Sequence, residues 1–310
     1  MTDLPYPMPN TPLIIWRFID GKPGHEKQSQ GLIQGLQDIT AVSVETIALQ
    51  GSFFQRLQQS QSICSTLSKR STPKLLIGAG HATHVALLRA KKKYGGLSVI
   101  LMKPSLPCRW FDFVLIPKHD SPKERPFIIP TEGALAPVKV GNKQKNKGLI
   151  LIGGPDKRNI WDNDTVWRQI ESICNAQKDI DWQLSTSRRT PEDFIAKENK
   201  NSNLKTLDWR DTPPNWLVNQ LAEARYCWVS QDSVSMLYEA LSAQCAVAAL
   251  ELEKEKSDDK ISRNLERLVA EKYLTTFSGW DQNKTLPPGK FKLEEHLRCA
   301  KIILERINGV

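Results

Sequence analysis

The chain has 310 residues, of which 40% are hydrophobic and 25% charged. Such a chain forms one large domain or two of ordinary size, and its composition excludes a disordered protein. No apolar run reaches the ~18–20 residues of a membrane span. The first dozen residues, with four prolines and one acid, match neither a signal peptide nor a transit peptide. We therefore expect a cytoplasmic protein.

The cysteines and the net charge indicate which cellular compartment and which partners to expect. The six cysteines are scattered without a close pair, which argues against structural zinc and a disulfide framework and favours a reducing compartment. The net charge of +9 favours polyanions or an anionic membrane surface as partners. The lysine clusters at Lys91–Lys93 and Lys139–Lys147 lack interleaved aromatics, so we expect no nucleic-acid partner and read each cluster first as solvated surface. Peripheral contact with the inner face of a membrane stays open.

Short apolar runs bounded by Gly or Pro alternate with amphipathic segments in the first half of the chain. Helical patterns cover Glu26–Gln37 and His84–Lys93. The alternation predicts βαβ units and a parallel sheet. The predicted strands are Leu13–Ile19, Val42–Ala48, Lys74–Ala79, Ser98–Met102 and Phe111–Ile116.

The polar stretch Val140–Gly148 reads as an exposed linker, after which the same pattern restarts. We therefore predict an α/β fold of two Rossmann-like lobes with mainly parallel sheets, over residues 1–140 and 148–290. A final segment, 291–310, carries a helix over Lys292–Ile307 that packs on one or both lobes. Its predicted apolar stripe is Leu293, Leu297, Ala300, Leu304 and Ile307. The predicted strands of the second half are Leu149–Ile152, Trp182–Ser185, Arg225–Ser230, Ala246–Leu250 and Tyr273–Phe277.

Ligands of parallel sheets bind in the loops at the carboxyl ends of strands, and with two lobes the expected site is a cleft between them. The loop Asp20–Gln28 follows the first strand and contains two glycines and a proline. Lys22 and the backbone N–H groups of this loop could hold an anion, and His25 could act as a base. The alternative is a plain turn with His25 as a polar cap.

The turn Gly78–Thr83 follows the third strand and begins like a dinucleotide-binding fingerprint. Its sixth position is Thr83, and the next strand ends in Met102-Lys103 where a ribose-binding acid is required. NAD binding is therefore not expected, although the turn could approach a ligand closely.

The second half carries a candidate diphosphate clamp. Gly153-Gly154-Pro155 permits close approach of a ligand to the backbone. Arg188 and Arg189 follow the next strand, and their guanidinium forks match phosphate oxygens. The alternative is a pair of surface arginines before a helix that begins at a proline.

The segment Ser230–Ala240 predicts a strand end, a cap at Asp232 or Ser233, and a helix. Its start suits phosphate, and Glu239 two turns later suits paired sugar hydroxyls. The alternative is an ordinary capped helix with a surface glutamate. The predicted buried stripe of this helix is Val234, Leu237, Tyr238 and Leu241.

Asp162-Asn163-Asp164 matches the D-x-D metal motif of some sugar transferases. It precedes a helical pattern over Val166–Cys174, where we favour Asp164 as a helix cap. No other cluster has metal-ligand spacing, so we expect no metal.

Taken together, the ordered motifs resemble the mitochondrial fission (elongated-mitochondria) family of GT-B-like glycosyltransferases, from about residue 14 to about residue 250. The charged run Glu251–Lys260 departs from its pattern. The motifs that carry the resemblance are Asp20–His25 with Gln28, His119-Asp120, Thr131–Leu135, Gly153–Pro155 with Trp161-Asp162, Ser187–Pro191, and Asp232–Met236 with Glu239.

The resemblance implies a nucleotide-sugar donor in the C-terminal lobe and an acceptor in the N-terminal lobe. Arg188, Ser233 and Ser235 then face the donor diphosphate, and Glu239 the ribose. The full implied donor set is Gly153, Gly154, Ser187, Arg188, Arg189, Asp232, Ser233, Ser235, Met236 and Glu239. The implied acceptor-side set is Lys22, Gly24, Gln28, Gly80, His81 and His119.

The resemblance implies a metal-independent glycosyltransferase that needs no cofactor beyond its donor substrate, with His25 as candidate base and Asp20 and Asp120 as rivals. The expected acceptor is an envelope glycan, such as a lipopolysaccharide core, or a lipid-linked acceptor. Two alternatives stay open: a non-catalytic membrane-associated scaffold, and a nucleotide-sugar epimerase of the same architecture.

Overall fold

The computed structural model describes residues 11–139, 141–197, 199, 201–255, 260–288 and 292–309. It divides into two compact units. The first unit contains the described residues through Pro137 and those from Glu294 onward, and the second contains those of Val138–Leu293.

The elements alternate between strands and helices along the chain. The strands are β1 (Leu13–Ile19), β2 (Val42–Ala48), β3 (Leu75–Ala79), β4 (Leu97–Leu101), β5 (Phe113–Pro117), β6 (Ile128–Thr131), β7 (Gln144–Leu151), β8 (Asn159–Ile160), β9 (Asp181–Ser185), β10 (Leu204–Leu207), β11 (Ala224–Ser230), β12 (Ala246–Leu250), β13 (Glu253–Lys254) and β14 (Thr275–Thr276). The helices are α1 (Pro23–Gln37), α2 (Phe53–Ser68), α3 (His84–Tyr94), α4 (Asn163–Ala176), α5 (Glu192–Ala196), α6 (Trp216–Glu223), α7 (Val234–Ser242), α8 (Lys260–Ala270) and α9 (Glu295–Ile307).

The first unit is a parallel sheet of six strands in the order β2-β1-β3-β4-β5-β6. Successive side chains of a strand point to opposite faces, so Ile15 joins the core beneath α1 and α9, and Trp16 joins the core beneath α2 and α3. Because both faces are covered, the central strands β1, β3, β4 and β5 are apolar almost without interruption, whereas the edge strand β2 is not.

The C-terminal helix packs on the first unit, through α1. The helix begins at Glu295, three residues later than predicted, and Cys299 and Ile303 are more deeply buried than the predicted Leu297 and Ile307. A Cβ atom at Gly35 would overlap the His296 carbonyl, so glycine is required where α1 and α9 cross.

The second unit is also a six-stranded parallel sheet, in the order β10-β9-β7-β11-β12-β14. Numbered within the unit, this order is 3-2-1-4-5-6, that of a dinucleotide-binding Rossmann sheet. Side chains from β7, β9, β11 and β12 form its core with α4 on one face and α7 on the other. The predicted fold class is thus confirmed.

The predicted linker is wrong from Gln144 onward, because β7 begins there and pairs in parallel with β9 and β11. Its polar residues occupy the exposed start of the strand, where the Lys147 ammonium lies 2.6 Å from the Glu223 carboxylate. Val140 lies outside the described residues.

The charged run after Leu250 begins with a short antiparallel ribbon, because β13 pairs with β8. Residues 256–259 of that run lie outside the described residues. None of the helices within the described ranges combines the length and apolar character that a membrane span requires.

Candidate functional site

Each sheet has one point where the chain reverses its direction of strand addition. In the first unit this point lies between β1 and β3, and in the second between β7 and β11. Loops that leave neighbouring strands in opposite directions at such a point open a crevice, where ligands of open α/β sheets bind. Predicted site residues follow all four of these strands.

In the first unit, Asp20 and His25 form a hydrogen-bonded pair. The imidazole Nδ1 lies 2.9 and 3.1 Å from the two carboxylate oxygens. The Asp20 side chain is only 2% exposed and the ring is 17% exposed. A buried carboxylate that holds Nδ1 fixes the tautomer in which Nε2 accepts a proton, as an orienting acid does for a catalytic histidine.

The start of α1 positions this histidine. The helix begins at Pro23 without a side-chain cap, and His25 lies in its first turn. Arg17 ties the helix to β1, donating to Ser29 Oγ at 2.9 Å and to the Glu26 carbonyl at 2.7 Å. Burial lowers the pKa of the Arg17 guanidinium, with the nearby Glu26 acting in the opposite direction. Sequence reasoning missed this residue, although a lone arginine in an apolar strand is a visible signal.

The turn after β3 touches the pair. Gly80 has a φ of +81°, and a Cβ atom there would overlap the His25 ring, so the position favours glycine on both counts. His81 next to it is exposed. His84, at the start of α3, is buried against Phe111, and burial lowers its pKa to about 4.

Of the remaining first-unit residues, Lys22 lies next to the pair, since its backbone N–H donates to Asp20 Oδ1 at 3.3 Å. His119 and Asp120 follow β5, which is three strands away from β1 in the sheet order, or about 14 Å at the usual strand spacing. Their own side chains lie 3.9 Å apart. Lys22 and Gly24 are exposed at the start of α1, and Gln28 is half-buried one turn later.

In the second unit, hydrogen bonds join the turn Gly153–Pro155 to the loop Ser187–Pro191 and to Asp232. The Gly154 N–H donates to Asp232 Oδ2 at 3.1 Å, and Arg189 Nη2 donates to the same oxygen at 2.6 Å. Arg189 Nη1 also donates to the Gly154 carbonyl at 3.0 Å. Ser187 Oγ donates to the Gly153 carbonyl at 2.7 Å. These residues therefore form the scaffold of the site.

Asp232 is the buried centre of this scaffold. Its side chain is 0% exposed, and burial raises the pKa of its carboxyl group, with Arg189 and the Gly154 N–H acting against that rise. A Cβ atom at Gly153 would overlap the carboxylate. Arg189 was predicted to bind the nucleotide-sugar donor. Its guanidinium instead donates hydrogen bonds to Asp232 and to two loop carbonyls.

The start of α7 differs from this scaffold, because the backbone N–H groups of its first turn are not engaged in hydrogen bonds with described residues. Ser233 occupies the cap position, but no side chain caps the helix. Within the described residues, the N–H groups of the first turn, Val234–Met236, have no hydrogen-bond partner. Such an end carries partial positive charge and free donors.

Two charged residues that were predicted to face the donor differ in their exposure. Arg188 is exposed and makes no ion pair with any described residue. Glu239 is buried and accepts from Ser235 Oγ at 3.3 Å. The predicted side-chain cap at Asp232 or Ser233 is therefore wrong, and so is the alternative of a surface glutamate.

The D-x-D motif caps α4, but through a different residue from the one expected. Asp162 Oδ2 accepts from the Thr165 N–H at 2.9 Å, and Asp164 lies in the first turn. In the described part of the chain, no three His, Cys, Asp or Glu side chains are grouped to hold a metal ion.

The architecture is that of GT-B enzymes. The chain superposes over 97% of its length on 98% of a Listeria monocytogenes protein assigned as a UDP-N-acetylglucosamine 2-epimerase, with a TM-score of 0.58 and 11% identity. A Neisseria meningitidis UDP-GlcNAc 2-epimerase, solved with UDP-GlcNAc bound, gives 0.51 at 10% identity, covering 96% of this chain and all (100%) of that one. A UDP-glucosyltransferase from Polygonum tinctorium gives 0.50 at 10% identity, covering 96% and 90%.

The sequence also matches the family described as Mitochondrial fission ELM1 over residues 23–307, so the chain belongs to that family. A relative named Uncharacterized protein RP120, from Rickettsia prowazekii (strain Madrid E), is 24% identical and aligns with 74% of this chain and 80% of its own length.

Proposed function

We propose that the protein is a glycosyltransferase whose second unit binds a nucleoside-diphosphate sugar. The observation that carries the proposal is the uncapped start of α7 at the switch point of a Rossmann-order sheet. A free helix N-terminus in that position is an anion site that the fold itself supplies.

The proposed donor contacts involve the first turn of α7, Arg188 and Glu239. The N–H groups of Val234–Met236 and the guanidinium of Arg188 bind the diphosphate, and together they stabilise the charge that develops on it as the sugar leaves. Glu239 accepts hydrogen bonds from the ribose hydroxyls. Ser187, Arg189 and Asp232 hold the loops that carry these groups.

The first unit supplies the base. As the bond between the anomeric carbon and the diphosphate oxygen breaks, an acceptor hydroxyl oxygen bonds to that carbon, and its proton passes to His25 Nε2. Asp20 fixes the imidazole and stabilises the imidazolium that forms. An envelope glycan or a lipid-linked hydroxyl compound is our proposed acceptor.

A thermal-shift screen of nucleoside diphosphates and nucleotide sugars tests donor binding, because stabilisation grows with ligand concentration over Kd. Arg188→Ala should weaken binding of the best diphosphate ligand by about 1.5–3 kcal/mol, the usual effect of a lost charged hydrogen bond. Arg225→Ala is the matched control, since that arginine is also exposed but lies at the start of β11, at the opposite end of the sheet. Equal affinities of the two variants would refute the donor assignment.

Product analysis then separates the activities. When no acceptor is present, a transferase hydrolyses its donor slowly and so releases the nucleoside diphosphate. An epimerase would change the configuration of the sugar and leave the nucleotide sugar intact. A wild-type protein that binds no nucleotide would instead support the scaffold alternative.

A further inference from the structure

The surface formed by α2 and α3 is cationic and free of acids. Neither helix contains an Asp or Glu, whereas together they carry Arg56, Arg89 and Lys91–Lys93. Of these five cations, Lys91 is paired with Asp112 at 2.6 Å. The other four have no ion-pair partner among the described residues, so this surface carries much of the net charge of +9.

An apolar groove runs between the same two helices. Its volume is about 510 Å³, within the range of ligand-binding pockets. Leu57 and Cys64 of α2 and Ala86 and Ala90 of α3 line it. Arg89, Lys92 and Lys93 also border the groove, which therefore has an apolar floor and a cationic rim.

Two phenylalanines begin α2 at the end of this surface. Phe53 is 53% exposed and Phe54 is 80% exposed, and they are the most exposed large apolar side chains in the described chain. Their rings contact each other edge to face, with centroids 5.6 Å apart. Exposing both rings to water is unfavourable unless a partner covers them.

The aromatic end and the cationic rim belong to one side of α2. Phe54, Gln58 and Gln61 are spaced by four and three residues and share one helix face. Lys93 of α3 borders Gln58 and Gln61 of that face in a second, shallower depression. The distance from Phe54 to Gln61 along the helix axis is about 10 Å.

We propose that this α2–α3 surface docks the protein on a lipid bilayer that contains anionic lipids. Phe53 and Phe54 enter the boundary between headgroups and acyl chains, and Arg89, Lys92 and Lys93 contact the anionic headgroups. Exposed aromatics beside unpaired cations are the combination that binds such interfaces. The proposal does not depend on donor binding by the second unit.

A nucleic acid would match this surface less well. Stacking of successive bases needs aromatic faces that are presented separately, whereas Phe53 and Phe54 cover each other edge to face. The groove is lined mainly by apolar atoms, although Ser60, Gln61 and Tyr94 also border it.

Co-sedimentation of the full chain with vesicles tests the proposal. The protein should bind phosphatidylcholine–phosphatidylglycerol vesicles and not vesicles of phosphatidylcholine alone, and added salt should weaken binding. The double substitution Lys92→Gln with Lys93→Gln should lower the partition coefficient about 25-fold, since each lysine near an anionic surface contributes about fivefold. Phe53→Ser with Phe54→Ser should lower it about 10–100-fold.

Matched controls lie on other surfaces. Lys205→Gln with Lys301→Gln removes the same charge from exposed positions on β10 and α9, and Trp209→Ser removes an exposed aromatic from the second unit. These variants should bind like the wild type. Circular dichroism and thermal midpoints should show that all variants are folded, because the substituted lysines are exposed and Phe53, Phe54 and Trp209 are 53%, 80% and 39% exposed.

Three results would overturn the proposal. The first is a wild type that does not bind the anionic vesicles. The second is equal loss of binding in the Lys92/Lys93 variant and the Lys205/Lys301 control. The third is tighter binding to a single-stranded oligonucleotide than to vesicles, with no effect of the phenylalanine substitutions, which would make the surface a polyanion site.

Discussion

Replacing Arg189 by alanine should destabilise the second unit far more than replacing its neighbour Arg188. Arg189 lies 2.6 Å from the carboxylate of Asp232, whose side chain is 0% exposed. Removing one partner of a fully buried ion pair costs about 3–5 kcal/mol, but the Arg189 side chain is 43% exposed, so solvent screens this pair in part. Asp232 keeps its bond from the Gly154 N–H, and its pKa is already raised by burial, so it can take up a proton. We therefore expect a smaller loss, about 2 kcal/mol, the size of a lost charged hydrogen bond.

Urea unfolding at neutral pH measures this difference in stability. A loss of about 2 kcal/mol also corresponds to a fall of about 4–8 °C in the thermal midpoint of the unit. Arg188→Ala should stay within about 0.5 kcal/mol of the wild type, because that side chain is exposed and makes no ion pair with a described residue. The deficit of Arg189→Ala should shrink as the pH is lowered, because the raised pKa of Asp232 lets it take up a proton, which removes its unpaired charge. Equal stability of the two variants would refute the scaffold role of Arg189.

Three further predictions concern the first unit. His84 has a folded-state pKa of about 4, against about 6.5 for an unperturbed histidine, so the unfolded chain binds more protons between these pH values. Stability therefore falls by up to about 3 kcal/mol as the pH drops from 6.5 to 4. His84→Leu should flatten that part of the stability curve, and an unchanged slope would show that another group titrates. His25→Ala should leave donor affinity unchanged and lower turnover by about two to four powers of ten, with a smaller loss in Asp20→Asn, whereas near-normal turnover in the His25 variant would promote Asp120 as base. Gly80→Ala should lower stability by about 1–3 kcal/mol, because φ is positive at this position. It should also lower turnover, because the new methyl group displaces the His25 ring. Wild-type turnover in this variant would contradict the placement of the ring.

Much of the fold follows from the hydrophobic pattern. Strands are visible in the sequence as short runs rich in apolar residues, and β1, β2 and β12 have the predicted bounds, although β2 is a half-exposed edge strand. Most of the other core strands differ from the prediction by a residue or two at their ends. The start of β7 was not predicted. Its exposed half is a run of lysine, asparagine and glutamine, and this composition resembles that of a linker. Short edge strands such as β10 are too brief to show a period.

The site could be predicted as a set of loops, but not as a set of contacts. Residues at the carboxyl ends of strands are visible in the sequence, and this placed His25, Arg188 and Glu239 among the candidates. Which of two adjacent arginines bonds to Asp232 depends on the direction of each side chain in an irregular loop. No local pattern encodes that direction, because it is set by tertiary packing of β7, β9 and β11.

The central claim is that the first turn of α7 holds a diphosphate, and hydrogen–deuterium exchange in the peptide spanning Ser233–Leu237 tests it most directly. Three of its amides have no partner within the described structure, so they should exchange rapidly in the free protein. Saturating UDP, or the best diphosphate ligand of the thermal-shift screen, should slow exchange in this peptide and leave α9 unchanged, and Arg188→Ala should raise the ligand concentration needed for protection. Ligand binding that leaves exchange in this peptide unchanged would contradict the account.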